Sequence, residues 1–271
     1  MKANTRSVTF DLWETLIFDD PLSDEARGRR RYGGLQSVLA EHGIKLALDE
    51  LRRGYEESAL KLQEVWNQNE EVPIIEQIRL IVRLAARRSI TFDPSWNQSL
   101  EEAYVDPILL IPPKLSAEGP RTLQAVRKRG YKIGLISNTG RSPGSALRQL
   151  LDTYGILRYF DATLFSNEVM RRKPDQTIFD RAAKVLGVEK KAIVHVGDNP
   201  EADFWGARNA GMQAILLNQT PSHSSLWPPH SLFTLSRANM RSNIAEIDPR
   251  LQIGTLTEAL DLVDSLFEAA S

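Results

Sequence analysis

Short apolar runs at positions 8–10, 131–137, 162–166, 192–196 and 213–217 are bounded by turn residues and alternate with stretches whose apolar residues recur at helical spacing. Runs that are apolar on both faces and separated by helices predict a parallel α/β sheet covered on both sides. Two of the helices are delimited by their ends. The one over 120–129 opens on Pro120 and stops at Gly130, and the one over 176–186 stops at Gly187. Proline suits the first turn because its missing N–H has no partner there, and glycine supplies the left-handed residue that ends a helix. The first two strands lie about 120 residues apart, far beyond the roughly 30 residues of a βαβ unit, so another unit is inserted between them. Helical periodicity over 26–42, 48–68, 74–88 and 95–104, broken at Gly43, Pro73 and Pro94, makes that insert all-helical. The expected organisation is an α/β core of residues 1–17 and 113–271 and a helical domain of residues 18–112, with Pro112-Pro113 as the return linker. The Ser-, Pro- and Asn-rich stretch 219–245 reads as a surface loop, and no internal repeat is found.

Composition narrows the chemistry. Of 271 residues, 42% are hydrophobic and 25% charged, values of an ordinary globular protein that can bury a core. The formal net charge is −1, so no excess of positive charge favours nucleic acid or an anionic membrane as partner. Cysteine is absent, which removes thiol nucleophiles, disulfides and thiolate metal sites. The four histidines (His42, His195, His223, His230) show no metal-ligand spacing, so a metal here would be held by carboxylates. No segment approaches the ~20 apolar residues of a membrane span, and the expected location is cytoplasmic.

Four segments stand at predicted strand ends or helix starts: Asp11 in VTFDLWETLI, Ser137 in LISNTG, Lys173 in RRKPDQTIF, and Asp198 with Asp203 in VHVGDNPEADFWGA. In doubly wound sheets the carboxyl ends of the strands form one ligand crevice, so these groups are expected to converge. One Ser, one Lys and three Asp suit a phosphate together with Mg²⁺, a cation that takes oxygen ligands and shares a substrate phosphate.

In this order, the segments resemble the four motifs of the haloacid dehalogenase (HAD) superfamily, and the helical insert sits where that superfamily places its first-type cap. The resemblance covers the whole core, about 160 residues. It implies a HAD-like Rossmannoid parallel sheet with an inserted all-helical cap. It also implies a hydrolase of a small phosphorylated metabolite, acting with Mg²⁺ through an aspartyl-phosphate. Asp11 matches the nucleophile and Thr15 the residue that steadies its loop. Ser137 and the Asn138 amide match the groups that hold phosphoryl oxygens, and Lys173 neutralises Asp11 and the developing charge. For Mg²⁺ the matching positions are Asp11, the backbone carbonyl of Trp13, Asp198, and Asp203 directly or through water.

One position departs from the pattern. Family phosphatases carry an acid two residues after the nucleophile, where this chain has Trp13, and indole cannot protonate a leaving group. General acid–base catalysis contributes about 10²–10⁴-fold, so substrates with good leaving groups, acyl or aryl phosphates, would suffer least. Glu14 is adjacent, but on an extended segment neighbouring side chains face opposite ways. The family's haloacid dehalogenases also carry an aromatic residue there, need no metal and lack the leading acid of the fourth motif. Two other readings therefore remain: a dehalogenase-type C–X hydrolase, and a catalytically impaired ligand-binding or regulatory protein. The partner is expected to be a small phosphorylated molecule, and the chain a monomer or homodimer. His195 reads as a packed, hydrogen-bonded core residue directed away from the strand end. Trp66 and Trp96 read as helical core, and the Arg27, Arg29, Arg30, Arg31 cluster as a solvated face or an anion contact. Asp19 and Asp20 stand near the hinge.

Overall fold

The computed structural model describes residues 5–218, 227, 231, 232, 234, 235 and 244–269. In chain order the elements begin with β1 (Ser7–Phe10), β2 (Ile17–Phe18), α1 (Pro21–Glu41), α2 (Leu48–Trp66), α3 (Ile74–Ala86), α4 (Asn97–Val105) and α5 (Pro107–Leu110). The chain continues with β3 (Lys114–Leu115), α6 (Gly119–Lys128), β4 (Lys132–Ser137), α7 (Gly144–Thr153), β5 (Ala162–Phe165), α8 (Ser166–Val169), α9 (Gln176–Leu186) and β6 (Ile193–Gly197). A π-helical turn at Pro200–Trp205, α10 (Gly206–Asn209), β7 (Gln213–Leu217), β8 (Gln252–Ile253) and α11 (Ala259–Ala269) complete it.

Six strands form a parallel sheet in the order β5-β4-β1-β6-β7-β8. Successive residues of a strand point to opposite faces, and the core divides accordingly. On one face Phe10, Leu135 and Val196 pack with Leu123 of α6, Leu147 of α7 and Phe267 of α11. On the other, Ile136, Leu164 and Leu216 pack with Ile178, Phe179 and Ala182 of α9. The five expected strands are present to within a residue at each end. The short β8, the antiparallel pair β2–β3 and α11 escaped the sequence pattern. A two-residue strand offers too few positions for alternation to show. β2 and β3 pair Ile17 with Leu115 and Phe18 with Lys114, tying together the two ends of the helical insert.

The insert has its own core, in which Leu35 and Leu39 of α1, Leu51 of α2, Ile78 and Ile81 of α3 and Leu100 of α4 are fully buried. At about 1.5–3 kcal/mol for each fully buried large apolar side chain, this face supplies the driving force for the helices to associate. Gly54 permits the α2–α3 contact, since a Cβ there would stand 2.7 Å from the backbone nitrogen of Ala85. α1 starts five residues before the expected 26. Asp20 accepts from the Ser23 N–H at 3.0 Å, and Pro21 fills the first turn. Asp20, expected near the hinge, is thereby the cap of α1. Most of the expected 219–245 loop lies outside the described residues. No helix among the described residues is long and apolar enough to cross a membrane.

Candidate active site

Strand order brings the motifs together. β1 is central, flanked by β4 and β6, and Phe10 stands in register with Leu135 and Val196. The next residue, Asp11, donates its N–H to the Val196 carbonyl at 2.9 Å, which fixes the backbone as it leaves the sheet. Lys173, 162 residues away, reaches the Asp11 carboxylate Oδ1 at 2.5 Å. The same ammonium donates to Asp203 Oδ1 and to the Ile136 carbonyl, each at 2.6 Å, so all three of its N–H groups have acceptors. Both partners are buried with it.

Behind this pair runs a chain of buried groups. Asp203 Oδ1 also meets His195 Nε2 at 3.1 Å, while His195 Nδ1 meets Thr9 Oγ1 at 2.9 Å. Burial holds His195 below its ordinary range despite Asp203, so the ring is neutral. The proton then sits on Nε2, facing the carboxylate, and Nδ1 accepts from the threonine hydroxyl. The expected packed core histidine is found, but its link to Asp203 makes it a positioning residue for Lys173. Asp203 Oδ2 accepts the Asn199 N–H at 2.9 Å. Burial acts to raise Asp203, yet Lys173 and His195 hold it well below the carboxylate range. Gly197 makes the fold-back possible, because a Cβ there would collide with the Asp203 carboxylate.

Asp11 differs. Burial, the largest effect, and the neighbouring Asp203 and Asp198 push it up to about 8 against the pull of Lys173. For Lys173, burial acts downward but Asp11 and Asp203 outweigh it and raise the ammonium. Asp11, Asp198 and Asp203 each offer an oxygen within 4.8 Å of the others. With all four groups ionised, three carboxylates face one ammonium, an excess of two negative charges in a largely buried place. This all-oxygen donor set and its charge deficit fit a hard divalent cation such as Mg²⁺.

The remaining motif residues take varied tasks. Thr15 Oγ1 lies 3.5 Å from Asp11 Oδ2, at the outer limit of a hydrogen bond. Ser137 is buried at the end of β4. The Asn138 side chain bonds the Lys173 backbone both ways. Its Oδ1 accepts the Lys173 N–H at 2.7 Å, and its Nδ2 donates to the Lys173 carbonyl at 2.9 Å. That amide therefore sets the lysine's position. Trp13 is half-buried against the sheet core and lines the cavity. Glu14 is not on an extended segment. It has φ +56° in a turn and donates its N–H to the Ile17 carbonyl at 2.8 Å, so Trp13 and Glu14 both line the cavity. The geometric reason for setting Glu14 aside does not hold.

The cavity above Asp11 and Lys173 has a volume of about 810 Å³ and is roofed by α1 and α2. The basic cluster of α1 divides by helical spacing: Arg27 and Arg31, four apart, are buried toward the cavity, and Arg29 and Arg30 are exposed. Arg27 pairs with Asp19, which burial raises. The tip between α2 and α3 closes the cavity's side. Arg172 donates its N–H to the Asn69 carbonyl at 3.0 Å, and its guanidinium bonds Glu71 at 2.8 Å and lies over Trp66 at 4.4 Å. Trp66 is buried in its helix as expected and also forms a wall of the cavity, while Trp96 stacks on His42 at 4.4 Å within the helical unit. Glu71 and Arg141 stand outside the motif segments, and Arg172 lies inside RRKPDQTIF but is not among that segment's candidate residues.

The model of haloacid dehalogenase-like hydrolases matches residues 5–211, and the chain belongs to that family. Among its relatives, glyceraldehyde 3-phosphate phosphatase of Methanothermobacter thermautotrophicus is 38% identical over 99 residues, covering 36% of this chain and 42% of the relative. The enzyme of that name from Methanopyrus kandleri is 28% identical over 219 residues, 79% of this chain and 84% of the relative. The chain spans 37% to 49% of the length of the first curated relatives it matches. The crystal structure of 2-haloacid dehalogenase from Pseudomonas syringae pv. Tomato DC3000 superposes with a TM-score of 0.63 at 23% identity, covering 96% of this chain and 99% of that one. At that identity the likeness concerns the fold alone.

Proposed function

We propose that the protein is a phosphatase-like hydrolase of a small phosphorylated molecule, with Asp11 as nucleophile and residues 18–112 as the cap over the site. The observation that carries this reading is the charge arrangement at Asp11, where Asp198 and Asp203 leave a deficit that a divalent cation would fill. Halide displacement needs no cation, and it would expel an anion into the field of two further carboxylates. The phosphatases among the relatives support the same choice.

Asp11 Oδ attacks phosphorus as the bond from phosphorus to the leaving oxygen breaks, and the electron pair departs on that oxygen. Water then attacks the aspartyl-phosphate at phosphorus, freeing phosphate and regenerating the Asp11 carboxylate. Lys173, held by Asp203, Ile136 and the Asn138 amide, keeps a positive charge at the reacting oxygens, and Ser137 offers a hydroxyl to the phosphoryl group. Asp11, Asp198, the Trp13 carbonyl and Asp203, directly or through water, would hold Mg²⁺, which supplies charge neutralisation for the phosphoryl group. With Trp13 in the acid's place, acyl and aryl phosphates are the preferred substrates.

The test is phosphate release from acetyl phosphate and p-nitrophenyl phosphate, with and without Mg²⁺, alongside halide release from 2-chloropropionate. Asp11→Asn should abolish phosphate release while leaving the circular dichroism spectrum unchanged. Wild-type turnover in that variant would end the assignment, and metal-independent halide release would make the protein a dehalogenase.

A further inference from the structure

Among the described residues six cations line the cavity, and four of them have carboxylate partners. Lys173 pairs with Asp11 and Asp203, Arg27 with Asp19 and Asp24, Arg52 with Glu56, and Arg172 with Glu71. Arg31 and Arg141 pair with none among the described residues, although they are only 3% and 5% exposed. Every acceptor they use is neutral. Arg31 donates to the Tyr104 carbonyl at 3.0 Å, the Tyr55 hydroxyl at 3.2 Å and Ser142 Oγ at 3.0 Å. Arg141 donates to the Tyr104 hydroxyl at 2.8 Å, the Tyr55 carbonyl at 2.9 Å and Ser58 Oγ at 3.0 Å, and lies over the Tyr55 ring at 3.9 Å.

Both guanidiniums are thus gripped by the same two tyrosines, one from α1 and one from the loop after β4. A buried lysine could shed its proton, but a guanidinium cannot, so two like charges stand together with no ion pair to a carboxylate among the described residues. Burial opposes the charge of Arg141, and Tyr104, Tyr55 and the more distant Asp24 favour it. The Asp24 carboxylate is already 3.5 Å from Arg27. Each guanidinium has five N–H donors and spends three, leaving donors for a planar or tetrahedral anion. Arg141 lies four residues beyond Ser137, and residues 138–142 all line the cavity, so this cationic pair opens onto the same space as Asp11 and Lys173.

We propose that Arg31 and Arg141 form a second anion subsite, and that the substrate is a phosphorylated molecule carrying another compact anionic group, a carboxylate or a second phosphate. The inference rests on the phosphatase reading for the orientation of that molecule, but its test does not require turnover.

The test is calorimetric titration of the full chain in Mg²⁺ buffer with three phosphonates that are not hydrolysed. Methylphosphonate carries one anionic group, phosphonoacetate adds a carboxylate, and methylenebisphosphonate adds a second phosphonate. At least one doubly anionic probe should bind about ten-fold or more tighter than methylphosphonate, a gain of ~1.4 kcal/mol, and the tighter of the two identifies the second group. That ratio should fall to about two or less in Arg31→Gln and in Arg141→Gln. Arg141→Lys, which keeps the charge but loses the fork, covers the case in which the glutamine variants unfold and should reduce the ratio by about three-fold or more. Equal binding of all three probes by the wild type would overturn the proposal. So would an undiminished ratio in the variants, which would make the two arginines only a clasp between cap and core. A wild-type ratio that holds in a protein releasing no phosphate would count against the phosphatase reading and leave the subsite standing.

Discussion

Replacing Lys173 with methionine tests the electrostatic centre of the site. The ammonium is 2% exposed, and its carboxylate partners Asp11 and Asp203 are 9% and 2% exposed. Lys173→Met therefore leaves two buried carboxylates and the Ile136 carbonyl without their donor. Breaking a buried pair by removing one partner costs about 3–5 kcal/mol. At ~2.1 cal/mol/K per residue the unfolding entropy of a chain this long is about 0.6 kcal/mol/K, so Tm should fall by roughly 5–9 °C. The pH dependence is more diagnostic. In the wild type Asp203 is held below its unfolded value of 3.8, so its contribution is present above that value and is lost as pH falls through the folded one. Lys173, raised above 10.5, contributes fully below 10.5 and loses its contribution as pH rises through its folded value. Asp11, already pushed up to about 8 in the wild type, makes stability decline with pH in both proteins alike. In the variant Asp203 loses the ammonium that holds it down, its folded value rises, and its own decline is added as pH rises. The gap between the two proteins should widen from pH 5 to pH 8, by no more than ~1.36 kcal/mol per pH unit for each proton involved. Urea unfolding in EDTA at pH 5, 6, 7 and 8 reads the gap. A constant difference, or one below about 1 kcal/mol throughout, would refute the account of Lys173 as the balancing charge.

Two further substitutions probe the neighbours. Trp13→Asp should speed hydrolysis of an alkyl phosphate by about ten-fold or more, toward the 10²–10⁴ that an acid supplies, while acetyl phosphate hydrolysis gains little. An unchanged alkyl rate would mean that another carboxylate on the cavity wall, Glu14 first among them, already serves. His195, lowered by burial, is neutral in the folded state, so its contribution is present above the unfolded value of 6.5 and is lost as pH falls toward the folded value. The stability difference between wild type and His195→Gln, read by urea unfolding, should shrink from pH 7 to pH 5 with a slope of at most ~1.36 kcal/mol per pH unit, and a constant difference would remove His195 from the account.

The sequence by itself determined those features whose cause is local. Apolar runs with turn residues at their ends are strands because a parallel sheet buried on both faces tolerates no polar alternation. Pro120, Gly130 and Gly187 delimit helices through their own backbone preferences. The motif residues were legible because Asp11, Ser137, Lys173 and the Asp198–Asp203 pair each stand at the end of a recognisable strand or just before a recognisable helix. Only the tertiary structure decided how those elements lie side by side, and with it every interaction across long separations. It set the Asn138 amide on the Lys173 backbone, joined His195 to Asp203 beneath the strand end, and turned Glu14 toward the cavity. Arg31 and Arg30 are neighbours of the same type in the chain, yet one is buried beside Tyr55 and Tyr104 and the other is exposed. What separates them is the 100° that each residue turns around a helix, combined with which of its faces the core loop carrying Arg141 and Ser142 approaches. That approach joins residues 111 positions apart, and no local pattern in the chain records it.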